Sequence, residues 1–245
     1  MKIKKIKKKS KNIQLNEIIR EDINYYMEDN LYPKYKQIQL KTKNKNQSLY
    51  LQAINDPYTK IIIAVGPAGT GKTFIGCHKG MEFFNNYEYE KMVITRPIVS
   101  NDEELGFLPG DIDSKMDPWL KPIKDVFEKS MNKKELDMLI KDEIIEIAPL
   151  AFMRGRTFNN TWIFADEMQN STISQMKMLL TRIGEKSKLI ITGDLLQNDL
   201  KNCKNGLQDI LERLSNYDGK MIKVIQFNNN DIERSDVVKE VLNLY

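Results

Sequence analysis

The sequence predicts an α/β fold, a three-layer α/β/α sandwich built on a mainly parallel sheet. Three observations predict it. Short runs that are apolar at nearly every position recur along the chain, helical patterns separate them, and a glycine-rich loop stands between the first run and the helix after it. A run without polar alternation fits a strand covered on both faces, which is the usual condition of a parallel sheet between helices.

In chain order, residues 1–12 hold seven lysines and no acid, and read as a basic, disordered tail. Residues 13–45 form an N-terminal helix and a connection. Leu15, Ile18, Ile19, Ile23 and Tyr26 lie at helical spacing between Leu15 and Met27, and a polar stretch with Pro33 follows, with a short strand at Ile38 to Leu40. The domain proper spans 46–245. It opens with a helix from Asn46 to Ile54, which Asp56-Pro57 separates from the first strand. Strands are expected at Lys60–Val65, Lys91–Thr95, Ile144–Ala148, Thr161–Ala165, Lys188–Thr192 and Met221–Phe227. Helices are expected at 71–86, 118–142, 172–183, 206–216 and 235–245, the second opening on Asp117-Pro118 as N-cap and first-turn proline.

Composition excludes several classes of function. The net charge of +4 comes from the tail; the remainder carries −3, so the body is not a basic nucleic-acid binder by bulk charge. Apolar runs such as Ile61–Val65 are far too short to span a bilayer, and no apolar segment follows the N-terminal lysines as in a signal peptide. No membrane role is expected. Cys77 and Cys203 make neither a metal quartet nor a disulfide framework, which fits reduced thiols and a cytoplasmic location.

The chemistry begins at Gly66-Pro67-Ala68-Gly69-Thr70-Gly71-Lys72-Thr73, a G-x-x-x-x-G-K-[ST] loop between a strand and a helix. Glycines let the backbone turn tightly and aim N–H groups at phosphate oxygens, and the helix adds the positive end of its dipole. Lys72 would reach the β- and γ-phosphates, and the Thr73 hydroxyl would ligate Mg²⁺. The strand Thr161–Ala165 ends in Asp166-Glu167. If parallel to the loop strand, it delivers both carboxylates to the edge where open α/β sheets bind ligands. Asp166 can hold Mg²⁺ and Glu167 can orient and deprotonate a water, which favours hydrolysis over phosphoryl transfer to a small molecule. A third strand ends in Gly193-Asp194, and Gln197 three residues later could sense the γ-phosphate.

Residues 44–245 resemble the PhoH-like ATPases, P-loop NTPases whose RecA-like core is similar to the motor domain of superfamily 1 helicases. The resemblance rests jointly on GPAGTGKT at 66–73, TRP at 95–97, ELGFLPGD at 104–111, MRGRTF at 153–158, ADEMQNST at 165–172, QMKMLLTRIG at 175–184 and ITGDLLQNDL at 191–200. It implies an ATPase that uses ATP and Mg²⁺, with Lys72 and Thr73 on phosphate and metal, Asp166 coordinating metal and Glu167 catalytic. It also implies that Gln169 and Gln197 lie near the γ-phosphate, that Gln47 reads adenine, and that Arg234 serves as an arginine finger in its own or a neighbouring subunit. The family's DEAQ stands here as Asp166-Glu167-Met168-Gln169. The 60 residues before the first strand are too few for the PIN nuclease domain of some relatives, so no nuclease activity is expected.

Other candidates have competing readings. Arg96, Arg154 and Arg156 fit phosphate contacts or ion pairs equally well. Trp119 and Trp162 fit base stacking less well than core packing. His78, Met176 and Met178 read as structural. The function expected is an ATPase coupled to RNA or single-stranded DNA. One RecA-like lobe without a second implies a homo-oligomer, such as a hexamer, if it is to act as a motor. The alternatives are a regulatory nucleotide-binding protein with little turnover and a small-molecule kinase.

Overall fold

Six strands, β1 (Ile61–Val65), β2 (Lys91–Arg96), β3 (Ile145–Pro149), β4 (Thr161–Ala165), β5 (Lys188–Gly193) and β6 (Ile222–Gln226), form one sheet in the order β3-β2-β4-β5-β1-β6. Every pairing is parallel. The computed structural model describes residues 40–98, 121, 123–129, 131–200, 204–233, 237–238 and 240. The chain divides into two units, Met1–Lys36 and Gln37–Tyr245, and the described residues belong to the second.

The sequence of each strand matches its place in the sheet. Central β1, β4 and β5 are buried at every residue, whereas the edge strands β3 and β6 are partly exposed. Lys188 is the polar exception at the start of β5. Its ammonium donates to the carbonyls of Ile54 and Asp56, closing the C-terminal end of α1 (Lys45–Asn55), and burial pulls its pKa down to about 8.

Helices cover both faces. On one side lie α1 and α2 (Lys72–Asn85). Tyr50 of α1 is fully buried, its ring edge-on to Phe227 at 5.9 Å. Helix α2 can settle onto β4 only because two of its inward positions lack side chains: a Cβ at Gly76 would sit 2.4 Å from the Phe164 ring, and one at Gly80 2.5 Å from the Trp162 indole nitrogen. On the other side, Met176 and Leu179 of α4 (Ile173–Leu180) and Leu207 of α5 (Gly206–Arg213) pack on Ile61, Ile63, Val93, Ile163 and Ile191. These are the three layers the sequence predicts.

One expected element divides. Instead of a continuous helix over 118–142, the described residues 121 and 123–127 are helical, the chain turns at 128–129, and α3 (Lys133–Lys141) starts afresh. The cause is a capping box: the Asn132 side chain accepts from the Glu135 N–H at 3.0 Å, and the Glu135 carboxylate accepts from the Asn132 N–H at 2.8 Å. Apolar periodicity continues through such a cap and conceals it. Helix α4 also stops three residues short of 183, where Arg182 Nε and the Thr181 hydroxyl turn back onto the Met178 carbonyl. The basic tail, the helix at Leu15–Met27, Ile38 and Gln39 of the expected short strand, and Asp117 to Trp119 lie outside the described residues; Leu40, the last residue of that expected strand, is described and is not in a strand. Of the last expected helix, 237, 238 and 240 are described, and they are helical. No helix among the described residues is long and apolar enough to cross a membrane.

The α2–β4 contact makes a direct prediction. Gly76→Val drives two methyl groups into the Phe164 ring and should cost about 1–3 kcal/mol. Thermal unfolding should show a loss of several degrees, and an unchanged melting temperature would contradict this packing.

Candidate nucleotide site

The parallel register sets the site. Val65 pairs with Gly193, Thr95 with Ala165, and Ala165 with Ile191, so β1 and β5 end together and β4 ends two residues earlier at the same edge. Gly66, Asp166 and Asp194, which follow β1, β4 and β5, and Arg96, which ends β2, therefore lie along one edge. Strand β5 stands between the loop strand β1 and the acid-bearing strand β4.

The loop from Gly66 to Thr73 leaves β1 through Gly66 at φ 144°, where a Cβ would lie 2.3 Å from the Phe227 carbonyl oxygen. It enters α2 through Gly71 at φ 86°, with no side-chain cap on the helix's first N–H groups. Pro67, Ala68 and Gly69 form the crown of the turn. The buried Lys72 ammonium folds back over the loop, donating to the carbonyls of Gly66 at 2.6 Å and Pro67 at 2.7 Å and to the Thr70 hydroxyl at 3.2 Å. Burial lowers its pKa, opposed by Asp194, Asp166 and Glu167.

Asp166 is, like Asp194, buried at this edge. One oxygen accepts from the Thr73 hydroxyl at 3.2 Å and from the Thr192 hydroxyl of β5, and its backbone N–H donates to the Thr95 carbonyl at 2.9 Å. Burial raises its pKa, the Glu167 charge raises it further, and Thr192, Arg96 and Thr73 oppose the rise. A carboxylate so placed gains from a cation. Among the described residues no group of three or more His, Cys, Asp or Glu forms a metal cage. A single carboxylate beside a hydroxyl instead fits Mg²⁺, which keeps most of its waters and takes phosphate oxygens.

Glu167 adopts φ 52°, in the left-handed region that is strained for a non-glycine residue. Its Oε2 accepts from the Gln169 amide at 2.6 Å, and its Oε1 lies 4.0 Å from the Arg96 guanidinium. Gln169 is buried, and its amide is committed to Glu167, to the Gln197 carbonyl at 3.3 Å and, as acceptor, to the Asp194 N–H at 3.1 Å. Gln197 contributes backbone to this network while its side chain is exposed.

Gln47 lies at the other end of the loop. Its Nε2 donates to the Thr70 carbonyl at 3.1 Å, its Oε1 accepts from the Lys43 N–H at 2.9 Å, and it borders a cavity of about 360 Å³ with Leu51, Phe74, Ile75 and Lys129. That volume falls within the range of small-ligand pockets, which starts at about 300 Å³. Arg234 and the 104–111 segment lie outside the described residues.

A protein-family model described as PhoH-like protein matches residues 39–245. Curated relatives include a PhoH-like protein of Bacillus subtilis, 41% identical over 213 residues, covering 86% of this chain and 65% of the relative. Protein PhoH of Escherichia coli K12 is 40% identical over 206 residues, covering 83% and 57%. This chain is a member of the PhoH-like protein family. It spans about three-fifths of the length of those relatives. Among solved structures, the Sulfolobus solfataricus SWI2/SNF2 ATPase core in complex with dsDNA aligns with a TM-score of 0.46 at 13% identity, covering 80% of this chain and 48% of that one.

Within this PhoH-like chain the structure also shows residues that sequence reasoning missed. Thr192 completes the Asp166 contacts. Asn170 and Asp199 bond each other twice. The segment 228–233 docks on the loop: the Glu233 N–H donates to the Gly69 carbonyl at 2.9 Å, and the Asp231 carboxylate accepts from Asn46 at 2.7 Å. The one local cue was Asn228 with Asp231 three residues on, which forms a capping box. Trp162 and His78 are buried, the latter stacked on Phe74 at 5.6 Å, in keeping with structural roles.

Of the three arginines, Arg154 is exposed and Arg96 faces Glu167. Arg156 is an ion-pair residue: it grips Glu146 with both terminal nitrogens, one at 2.7 Å, while Lys91 reaches the same carboxylate at 2.6 Å and the Phe158 ring underlies the guanidinium at 4.6 Å. The Arg156 hydrogen bonds, with help from Lys91, hold the Glu146 carboxyl down at about 2, against an ordinary value of 4.5. A depressed acid stabilises the fold above its unfolded pKa and loses that contribution as pH falls through the folded one. Glu146→Gln should therefore melt below wild type at pH 7, with the gap closing between about pH 5 and pH 2. A gap independent of pH would contradict the pairing.

Proposed function

We propose that this chain binds ATP with Mg²⁺ and hydrolyses it, and that turnover is coupled to RNA or single-stranded DNA. The observation that carries the reading is the Thr73–Asp166 hydrogen bond, which joins the phosphate loop to the acid-bearing strand with Glu167 as the next residue. Family membership supports a P-loop nucleotide-binding chain.

In this reading the loop N–H groups and the α2 N-terminus hold the phosphates. Lys72 leaves the carbonyls of Gly66 and Pro67 for the β- and γ-phosphate oxygens, exchanging neutral acceptors for charged ones. Thr73 and Asp166 would hold Mg²⁺, which neutralises charge on the departing phosphate. Glu167 orients a water and takes its proton as the water oxygen bonds to the γ-phosphorus and the bond to the bridging oxygen breaks. Gln47 and its cavity receive the base. Arg96 ends β2 at the sheet's ligand-binding end, where a nucleic-acid phosphate would meet it, and the exposed Arg154 offers a second contact. Arg234, acting within one subunit or across two, would complete the site in a homo-oligomer such as a hexamer.

ATP turnover of wild type, Lys72→Ala and Glu167→Gln, with and without single-stranded RNA and DNA, tests the reading. Lys72→Ala should lose nucleotide affinity. Glu167→Gln should keep affinity and lose about 10²–10⁴-fold in kcat, the usual contribution of a general base. One polymer should stimulate the wild type. Tight ATP binding without turnover in the wild type would instead identify a regulatory nucleotide-binding protein.

A further inference from the structure

The loop after β5, residues 194–199, is pinned at its start, middle and end by two consecutive amides that follow the catalytic acids. At the start, the Asp194 N–H donates to Gln169 Oε1 at 3.1 Å. In the middle, the Gln197 carbonyl accepts from Gln169 Nε2 at 3.3 Å. At the end, Asn170 Nδ2 donates to Asp199 Oδ2 at 2.9 Å and the Asp199 N–H donates to Asn170 Oδ1 at 3.0 Å. Inside the loop, Asp194 accepts from the N–H groups of Leu196 and Gln197, both at 3.1 Å. The loop is thus a closed bracket. Its fit against the turn is tight, since a Cβ at Gly193 would lie 2.8 Å from Gln169 Oε1.

The same Gln169 Nε2 that holds the bracket is the group that orients Glu167 Oε2. An amide has two N–H groups in one plane, so its position on the Gln197 carbonyl constrains the direction it offers Glu167. If the bracket shifts, the amide turns and the carboxylate turns with it. The far end of the bracket depends on the Asn170–Asp199 clasp, whose Nδ2 donor meets a charged acceptor and is the stronger for it.

We propose that Asn170 and Asp199 are positioning residues: their clasp fixes the 194–199 loop and, through Gln169, the direction of the Glu167 carboxylate. The proposal rests on the reading of Glu167 as the base of an ATPase. It gives the clasp a kinetic role, in which it governs the chemical step and leaves nucleotide affinity alone.

A charge swap tests it. Asn170→Asp sets two carboxylates face to face and opens the clasp. The double variant Asn170→Asp/Asp199→Asn restores it, because the amide now on 199 can donate to the carboxylate now on 170. Asn170→Asp should lower kcat by about ten- to a hundredfold, the scale of a small misplacement of a reacting group, with KM for ATP within about twofold. Hydrogen exchange at the Asp194 and Asp199 amides, measured without nucleotide, should speed up. The swap should return both readouts towards wild type. Faster exchange at unchanged kcat, or a swap no better than the single variant, would overturn the proposal while leaving the ATPase reading intact. A wild type without turnover would sink that reading instead; amide exchange would still decide the clasp, and exchange unaltered by Asn170→Asp would refute it.

Discussion

The hydroxyl–carboxylate contact between Thr73 and Asp166 is the constraint on which the rest of the site depends. Thr73 is fixed by the helix that follows the loop, and Asp166 by the strand it terminates. The contact needs β1 and β4 to end at one edge with β5 between them, β4 stopping two residues before β1. Thr73 sits on α2, which lies close against β4 because Gly76 and Gly80 carry no side chain. A packing decision on the sheet's face is thereby converted into an alignment of polar groups at its edge.

The electrostatics of the edge follow from burial. Asp166 is removed from water with two hydroxyl donors and the Glu167 charge beside it, so its charged form is costly until a cation arrives. Lys72 shows the converse, a buried cation satisfied by neutral loop carbonyls. In the proposed function a magnesium–phosphate ligand would answer both demands together, Asp166 holding the metal and Lys72 the phosphate oxygens. The neighbouring Glu167 is handled differently, held through Gln169 by a bracket that reaches Asp199.

The fold was highly legible. The strands were visible because Ile61–Val65, Thr161–Ala165 and Lys188–Gly193 are apolar almost throughout, and each is closed by glycine, aspartate or a turn. The helix at 118–142 misled because the Asn132 capping box sits inside an unbroken apolar period. At the candidate site, Lys72 and Thr73 stand out by the loop motif, and Asp166 and Glu167 by ending a strand in a chain that carries that loop. Their partners do not. Thr192 meets Asp166 across 26 residues and Asp199 meets Asn170 across 29, and no local pattern marks a hydrogen bond between segments so far apart in sequence. The resemblance implies Gln169 near the γ-phosphate; its hydrogen bonds to Glu167 and the 194–199 loop are not marked by any local pattern. Arg156 fits a nucleic-acid contact and an ion pair equally well by sequence, and it pairs with Glu146, a partner on an adjacent element that composition does not reveal.

The most direct test of the account is a crystal structure of the chain with Mg²⁺ and a non-hydrolysable ATP analogue. The account predicts phosphates cradled by residues 66–73, the Lys72 ammonium moved from the Gly66 and Pro67 carbonyls onto phosphate oxygens, and the metal between Thr73 and the Asp166 side. A nucleotide bound elsewhere, or bound here with Lys72 still on those carbonyls and the metal remote from Asp166, would contradict it.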